Sequence, residues 1–266
     1  MMGYRNDARA ALVRARAELG TGVVHRIKYA ALELRFAMEA LTYDRAATYK
    51  DELPPSEYDV WQPRKLMAVL LEIDASADAD SSLAFTEEIL GHTVGEMRSL
   101  GKETVLNLAV LKEHYDALGN HLHVPTLKQA SKGIDYAKLR ARCEDIGAYL
   151  DKVLASPVWN AKLAHFTELE CQECGKTIRK RIPKGKSEFD AECFACHVTY
   201  KVTDAGPGKT LWQLRGHDVS CLGTNCRHSV FVLERDWKEG STWTCQECGG
   251  TNTFVLGLRY EQKAQP

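Results

Sequence analysis

Eight of the nine cysteines fall after residue 170, in four closely spaced pairs. Cys171 and Cys174 stand in ECQECGK, Cys193 and Cys196 in AECFACH, Cys221 and Cys226 in SCLGTNC, Cys245 and Cys248 in TCQECGG. Two thiols on one tight turn offer two sulfur ligands to one ion. Two such turns complete a tetrahedron, the geometry zinc takes with thiolates. Eighteen residues separate the first pair from the second, and again the third from the fourth, which is room for two short strands and a turn. Cys174, Cys193 and Cys196 recur 52 residues later as Cys226, Cys245 and Cys248, while Cys171 recurs after 50 as Cys221. Such a period marks a duplicated module. In a reducing compartment these clusters read as metal sites, not disulfides. The expectation is two zinc ions per chain, each held by four cysteines. With all four positions filled by protein, such an ion is structural and supplies folding energy to modules too small to hold a core.

The tail resembles the zinc-ribbon (rubredoxin-like knuckle) family on these four motifs, over about 90 residues. The resemblance implies a metal-binding role for the eight cysteines and two ribbons, at residues 166–214 and 215–262. The third pair departs from the commonest spacing, which makes Cys221 the ligand least well matched. His197 and His228 neighbour the knuckles, but four cysteines already suffice.

The stretch 176–186, KTIRKRIPKGK, has six basic residues in eleven and no acid. Arg179, Lys180, Arg181, Lys184 and Lys186 are candidates to grip nucleic-acid phosphates. Phe189, Phe194, Trp212, Trp237 and Trp243 could add stacking surface. Against this stand the formal charge of -2 on each four-thiolate zinc site and the nearby Glu168, Glu170 and Glu173. Three uses of the patch remain open: nucleic-acid contact, a protein-binding role, and a solvated face.

The ribbons follow a segment, residues 1–165, that reads as an all-α helical bundle. Helices are expected at 7–19, 22–51, 63–73, 103–118 and 136–154, with Pro63 in a first turn and Asp135 as an N-cap. Residues 74–82, DASADADSS, read as a loop; their acids resemble a calcium loop only loosely. Cys143 reads as core. On a helical wheel, Ile27, Ala31, Leu34, Met38 and Leu41 share one face, and Tyr29, Leu32, Phe36, Ala40 and Tyr43 the opposite one. A helix apolar on two faces is expected to be sandwiched. Between the faces Arg35 and Glu39 stand four apart, able to pair, either as an ordinary ion pair or in a cleft or dimer seam. In the segment 112–127, His114, His121 and His123 cluster near a helix end at Gly119. A histidine there could serve as acid or base.

On ALELRFAMEALTYD and HYDALGNHLHVPT the helical part resembles the HEPN superfamily, many of whose members cut RNA or accompany enzymes that do. That family's Arg-to-His catalytic motif is missing, because no arginine is followed by a histidine at its distance. The resemblance therefore implies a binding or dimerising domain. If the domain is catalytic, Arg35, Glu39, His121 and His123 are the candidates.

The 266 residues carry a net charge of -1, so any contact with nucleic acid must come from a local patch. No phosphate-binding GxxxxGK[ST], GxGxxG, HExxH or GxSxG occurs. The N-terminal stretch reads as an amphipathic helix, not a signal peptide, and no apolar run suits a membrane, so a cytoplasmic protein is expected. The leading expectation is a non-catalytic, zinc-dependent, homodimeric binding protein whose partner is nucleic acid or protein. The alternative is an RNA-directed nuclease or defence-type effector with a catalytic helical domain.

Overall fold

The computed structural model describes residues 3–58, 62–90, 92–124, 133–161, 164–206 and 208–255. Residues 125–127 of the histidine segment, and residues 256–262 at the end of the second expected ribbon, lie outside them. The chain separates into two compact units, Met1–Leu163 and Ala164–Pro266.

The first unit is built on α1 (Tyr4–Gly20) and α2 (Ile27–Ala47), linked by a short 3-10 turn. Ala8, Ala11 and Ala15 of α1 and Ala30, Ala31 and Ala37 of α2 are buried. Alanines keep the two backbones close, and Leu12, Leu34 and Met38 fill the space between and beneath them. A 3-10 turn, Lys50–Glu52, and the single-turn helix α3 (Pro55–Tyr58) lead to α4 (Pro63–Ile73), which has Pro63 in its first turn. Two further helices among the described residues are α5 (Leu108–Gly119) and α6 (Tyr136–Leu154). Each is capped by a side chain: Asn107 accepts from the Val110 N–H at 2.8 Å, and Asp135 from the Lys138 N–H at 2.9 Å. The expected boundaries of α4 and α6 hold, while the 22–51 helix is broken at both ends into 3-10 turns. Cys143 is fully buried in the core, and burial pushes its thiol up to about 11.

The unit is not all-α. Strands β1 (Ser81–Ile89) and β2 (His92–Glu103) form an antiparallel ribbon between α4 and α5. The segment escapes sequence reading because both of its faces are largely exposed, so apolar and polar residues do not alternate. Its base is pinned. The buried Glu103 pairs with the buried Arg45 at 3.0 Å and accepts the Asn160 N–H at 2.7 Å. The acids of the preceding loop are structural: Asp78 and Asp80 accept the backbone N–H groups of Leu108 and Val105.

The expected sandwiching of α2 is only partial among the described residues, where Leu32, Ala40 and Tyr43 of its second face are half-buried. Its Ile27–Leu41 face is buried, but Tyr29 and Phe36 on the other face are exposed, at 54% and 41%.

The second unit consists of short antiparallel strands. β3 (Phe166–Glu170) pairs with β4 (Thr177–Arg181), and β5 (Glu188–Glu192), β6 (Thr199–Asp204) and β7 (Thr210–Leu214) form a three-stranded sheet. β8 (Gly216–Ser220) pairs with β9 (Ser229–Leu233), and β10 (Thr242–Thr244) with β11 (Thr251–Thr253). Just past β11, Phe254 packs on Trp237 at a ring separation of 5.0 Å. Ile178, Ala191, Val198, Tyr200 and Val202 form a small core, with Phe189, Trp212 and Leu233 packed on it.

Candidate metal centres and the helical cleft

Each cysteine pair sits on the turn joining two strands. In three of the four turns the residue after the second cysteine has positive φ: Gly175 at 70°, His197 at 59° and Gly249 at 69°. Its N–H returns to the carbonyl of the first cysteine at 2.7–2.9 Å, as in Gly175 to Cys171, His197 to Cys193 and Gly249 to Cys245. Glycine suits that conformation, since a Cβ there is strained. The third turn, two residues longer, closes differently. The Cys226 N–H bonds the Gly223 carbonyl at 3.0 Å, and the positive φ moves to Asn225. A Cβ on Gly223 would lie 3.2 Å from the Cys248 sulfur, a tight contact that glycine avoids.

These turns bring Cys171, Cys174, Cys193 and Cys196 into one cluster and Cys221, Cys226, Cys245 and Cys248 into another, the sulfurs of each within 4.8 Å of one another. Cys171–Cys196 and Cys174–Cys193 stand at 3.6 and 3.5 Å, Cys221–Cys248 and Cys226–Cys245 at 3.6 Å. A disulfide needs about 2.0 Å. A tetrahedron with metal–sulfur bonds of about 2.3 Å has edges of about 3.8 Å. The separations fit a shared ion and exclude the bond. Each cluster could therefore hold one metal ion, two per chain. His197 is occupied otherwise, its ring 2.8 Å from the Glu192 carboxylate.

Electrostatics point the same way. At Cys171 burial alone would raise the thiol, but the Tyr200 hydroxyl and the N–H groups of Glu173 and Cys174 bring it down to about 6. Cys221 is lowered to about 6 by the Gly223 N–H and the Asn252 side chain. Each cluster also holds a thiol driven the other way: Cys196 is pushed up to about 12 by burial and its three neighbours, and Cys226 reaches about 12 among the other thiols of its cluster. Four crowded thiols cannot all ionise alone, whereas a dication makes four thiolates compatible.

Sequence reading missed the residues that brace these clusters. The Tyr200 hydroxyl lies 3.6 Å from Cys171 Sγ and accepts the Gln172 N–H at 3.0 Å. In the other cluster the Asn252 amide lies 3.5 Å from Cys221 Sγ, and its oxygen accepts the Leu222 N–H at 2.9 Å. Tyr200 and Asn252 are 52 residues apart, so the cysteine repeat, extended to other residue types, would have pointed to them. Arg235, just after β9, reaches the first cluster, donating to the Cys196 carbonyl at 2.8 Å and to Glu173 at 2.9 Å.

The strand pairing divides the basic run. Phe166 stands opposite Arg181, Thr167 opposite Lys180 and Glu168 opposite Arg179. Arg179 and Arg181 therefore share a face with Phe166, their guanidinium carbons 4.1 and 5.1 Å from its ring centroid, and Lys180 faces the other way. Arg179 also pairs with Glu168 at 3.3 Å. Lys184 and Lys186 are exposed in the turn that follows. Of the aromatics proposed for stacking, Phe189 and Trp212 belong to the core and Trp237 packs on His217 and Phe254.

In the first unit Arg35, Glu39 and His123 line a cleft of about 520 Å³, with Phe36, Arg64 and Tyr115. His121 lies elsewhere, with burial, Arg142 and Lys28 lowering its imidazole. The expected contact between Arg35 and Glu39 runs through a third residue. The Tyr115 hydroxyl donates to Glu39 Oε1, and Arg35 lies over the Tyr115 ring at 4.0 Å. The end of the Arg35 side chain also lies against Gly119, so a Cβ there would push the guanidinium aside. Burial and the Glu39 bond raise the Tyr115 hydroxyl, which keeps its proton and acts as donor.

Comparison with protein-family models, curated proteins and solved structures gives no match for this chain. Among the described residues no helix is long and apolar enough to cross a membrane.

Proposed function

We propose that the chain is a non-catalytic binding protein whose second unit is a pair of zinc ribbons, 166–214 and 215–262, contacting nucleic acid. The sulfur geometry carries the first part. Four cysteines per cluster at tetrahedral spacing suit zinc, and with no open position the ion holds the fold and takes no part in chemistry. Arg179 and Arg181, stacked on Phe166 with Lys184 and Lys186 nearby, would lie along a phosphate backbone. Lys180, on the opposite face, would contribute less than its place in the sequence suggests. The Arg179–Glu168 pair is exposed and weak, so a phosphate could displace the carboxylate.

The test is zinc content by mass spectrometry together with a mobility-shift titration of RNA and DNA at several salt concentrations. Two zincs per chain and a salt-dependent complex weakened by Arg179→Ala/Arg181→Ala are expected. Fewer than two zincs, or a complex indifferent to the pair, overturns the respective half.

A second reading, a HEPN-like RNA-directed nuclease or defence-type effector, draws on the cleft, where Arg35, Glu39 and His123 converge. Arg35 is engaged by Tyr115 and His121 is absent from the cleft, which favours the binding role. RNA cleavage by purified protein, abolished by Arg35→Ala, would reverse the order.

A further inference from the structure

Strands β1 and β2 pair with no third strand among the described residues, so each keeps an outer edge of unpaired backbone groups. A lone two-stranded ribbon is marginal in water, and an open edge is a template for another strand. The ribbon also leaves apolar side chains uncovered. Phe85, Ile89, Val94, Met97 and Leu100 are 45–63% exposed. Its base does not give way: Glu103 is bound to Arg45 and Asn160, and Gly101 packs so tightly on Pro157 that a Cβ would collide. The feature is a fixed arm with an uncovered surface.

The two edges differ in charge. β1 carries Glu87 and Glu88 and no base, so two β1 strands set side by side bring acids together without counter-charge. β2 carries Glu96 and Arg98 on either side of Met97, with Val94 and Leu100 three residues out in each direction. Within one copy β2 bulges twice: residues 95–97 all stand opposite Thr86, with Gly95 at a φ of 96°, and Leu100 falls between the partners of Leu83 and Ala84, so Glu96, Met97 and Leu100 have no partner on β1, and a second strand must follow these bulges. Laid antiparallel against a second β2 with the two-fold axis at Met97, the sequence answers itself. Glu96 of each copy meets Arg98 of the other, Val94 meets Leu100, and Met97 meets Met97. Opposite charges and apolar pairs across strands stabilise a sheet, whereas like charges oppose it. Edge charges normally ward off foreign strands; in this register they match.

We propose that the chain forms a two-fold dimer through this arm, β2 against β2, making a four-stranded sheet from two copies. The surface is isologous, as a two-fold contact requires. The seam lies on the arm and not on α2, and the inference does not depend on the metal or nucleic-acid reading.

The experiment is the molar mass of the full-length, zinc-loaded protein, by light scattering and sedimentation from about 1 to 100 µM. Wild type should be dimeric. Glu96→Arg sets Arg against Arg98 of the other copy, and Arg98→Glu sets Glu against Glu96. Each should halve the molar mass in that range. The double exchange Glu96→Arg/Arg98→Glu restores opposite pairs and should restore the dimer. A further variant, Met97→Cys, should give an intermolecular disulfide on mild oxidation, and Val94→Cys should give none. A monomeric wild type overturns the proposal. So do single variants that stay dimeric, which would put the seam elsewhere, or a double variant as monomeric as the singles, which would leave the arm to another kind of partner. If a charge variant fails to fold, the cysteine pair decides alone: equal cross-linking at 94 and 97, or none at 97, refutes the register.

Discussion

Removing the Glu103 carboxylate should destabilise the first unit more than any exposed charge change would. Glu103 joins the foot of the arm to the helical core. Its Oε1 takes the Arg45 guanidinium at 3.0 Å and the Asn160 N–H at 2.7 Å, and its Oε2 takes the Ser81 hydroxyl at 3.3 Å. The two charged side chains are only 5–6% exposed. In Glu103→Ala, Arg45 keeps the Ala77 carbonyl at 2.8 Å and the Asn160 side chain at 3.1 Å but loses its counter-charge. Breaking a buried pair in this way costs about 3–5 kcal/mol. Asn160 also holds a positive φ of 55°, the left-handed conformation asparagine tolerates, and the carboxylate helps to fix it. Each kcal/mol moves the midpoint of a unit this size by about 2–4 °C, so a fall of roughly 6–20 °C is expected. Glu103→Gln keeps an acceptor for the Asn160 N–H and should lose about half as much. The assay is thermal unfolding followed by helical circular dichroism in excess zinc, so that the second unit stays folded. The paired replacement Arg45→Met/Glu103→Leu should recover most of the loss, since an apolar pair needs no counter-charge. A Glu103→Ala protein within about 1 kcal/mol of wild type would show that the pair is not the anchor described.

Four further outcomes can be checked. Cys193→Ser and Cys245→Ser should each lower bound zinc from two to one per chain by mass spectrometry, since each removes one ligand from a different cluster. Tyr200→Phe should speed chelator-driven loss of metal from the first cluster about 10–100-fold and leave the second unchanged, with Asn252→Ala doing the reverse; equal effects on both clusters would deny the bracing role. Tyr115→Phe should cost about 1–3 kcal/mol, because it leaves the buried Glu39 without its donor, as read by denaturant unfolding. His114 is held below its ordinary 6.5, first by burial, and its buried Nδ1 has no partner among the described residues. The unfolded chain therefore binds that proton more readily, and stability should fall as the pH drops below about 6.5. His114→Gln should flatten that part of the curve, and an unchanged slope would assign the loss to other groups.

Much of the metal chemistry was legible in the chain. Thiol spacing is a local property: a CxxC turn places its two sulfurs whatever surrounds it, and the 52-residue repeat gives two such sites. Helix periods, Pro63 in a first turn and the Asp135 cap are equally local, which is why α4 and α6 fall where the pattern puts them. The arm was not legible, because a ribbon exposed on both faces carries no alternation. Nor was the sorting of the basic run. Six bases in eleven residues read as one patch, yet strand register sends Lys180 to one face and brings Glu168 against Arg179 on the other. In the cleft, helical spacing put Arg35 beside Glu39, but Tyr115, some eighty positions away, came between them, and His121 was turned aside from His123. The sequence by itself determined which atoms could hold a metal and where the helices run, because those depend on neighbours within a turn. Tertiary structure decided which charges meet, which residues of α2 stay exposed and where an unpaired strand stands ready, because those depend on residues far apart in the chain that only the packed fold brings together.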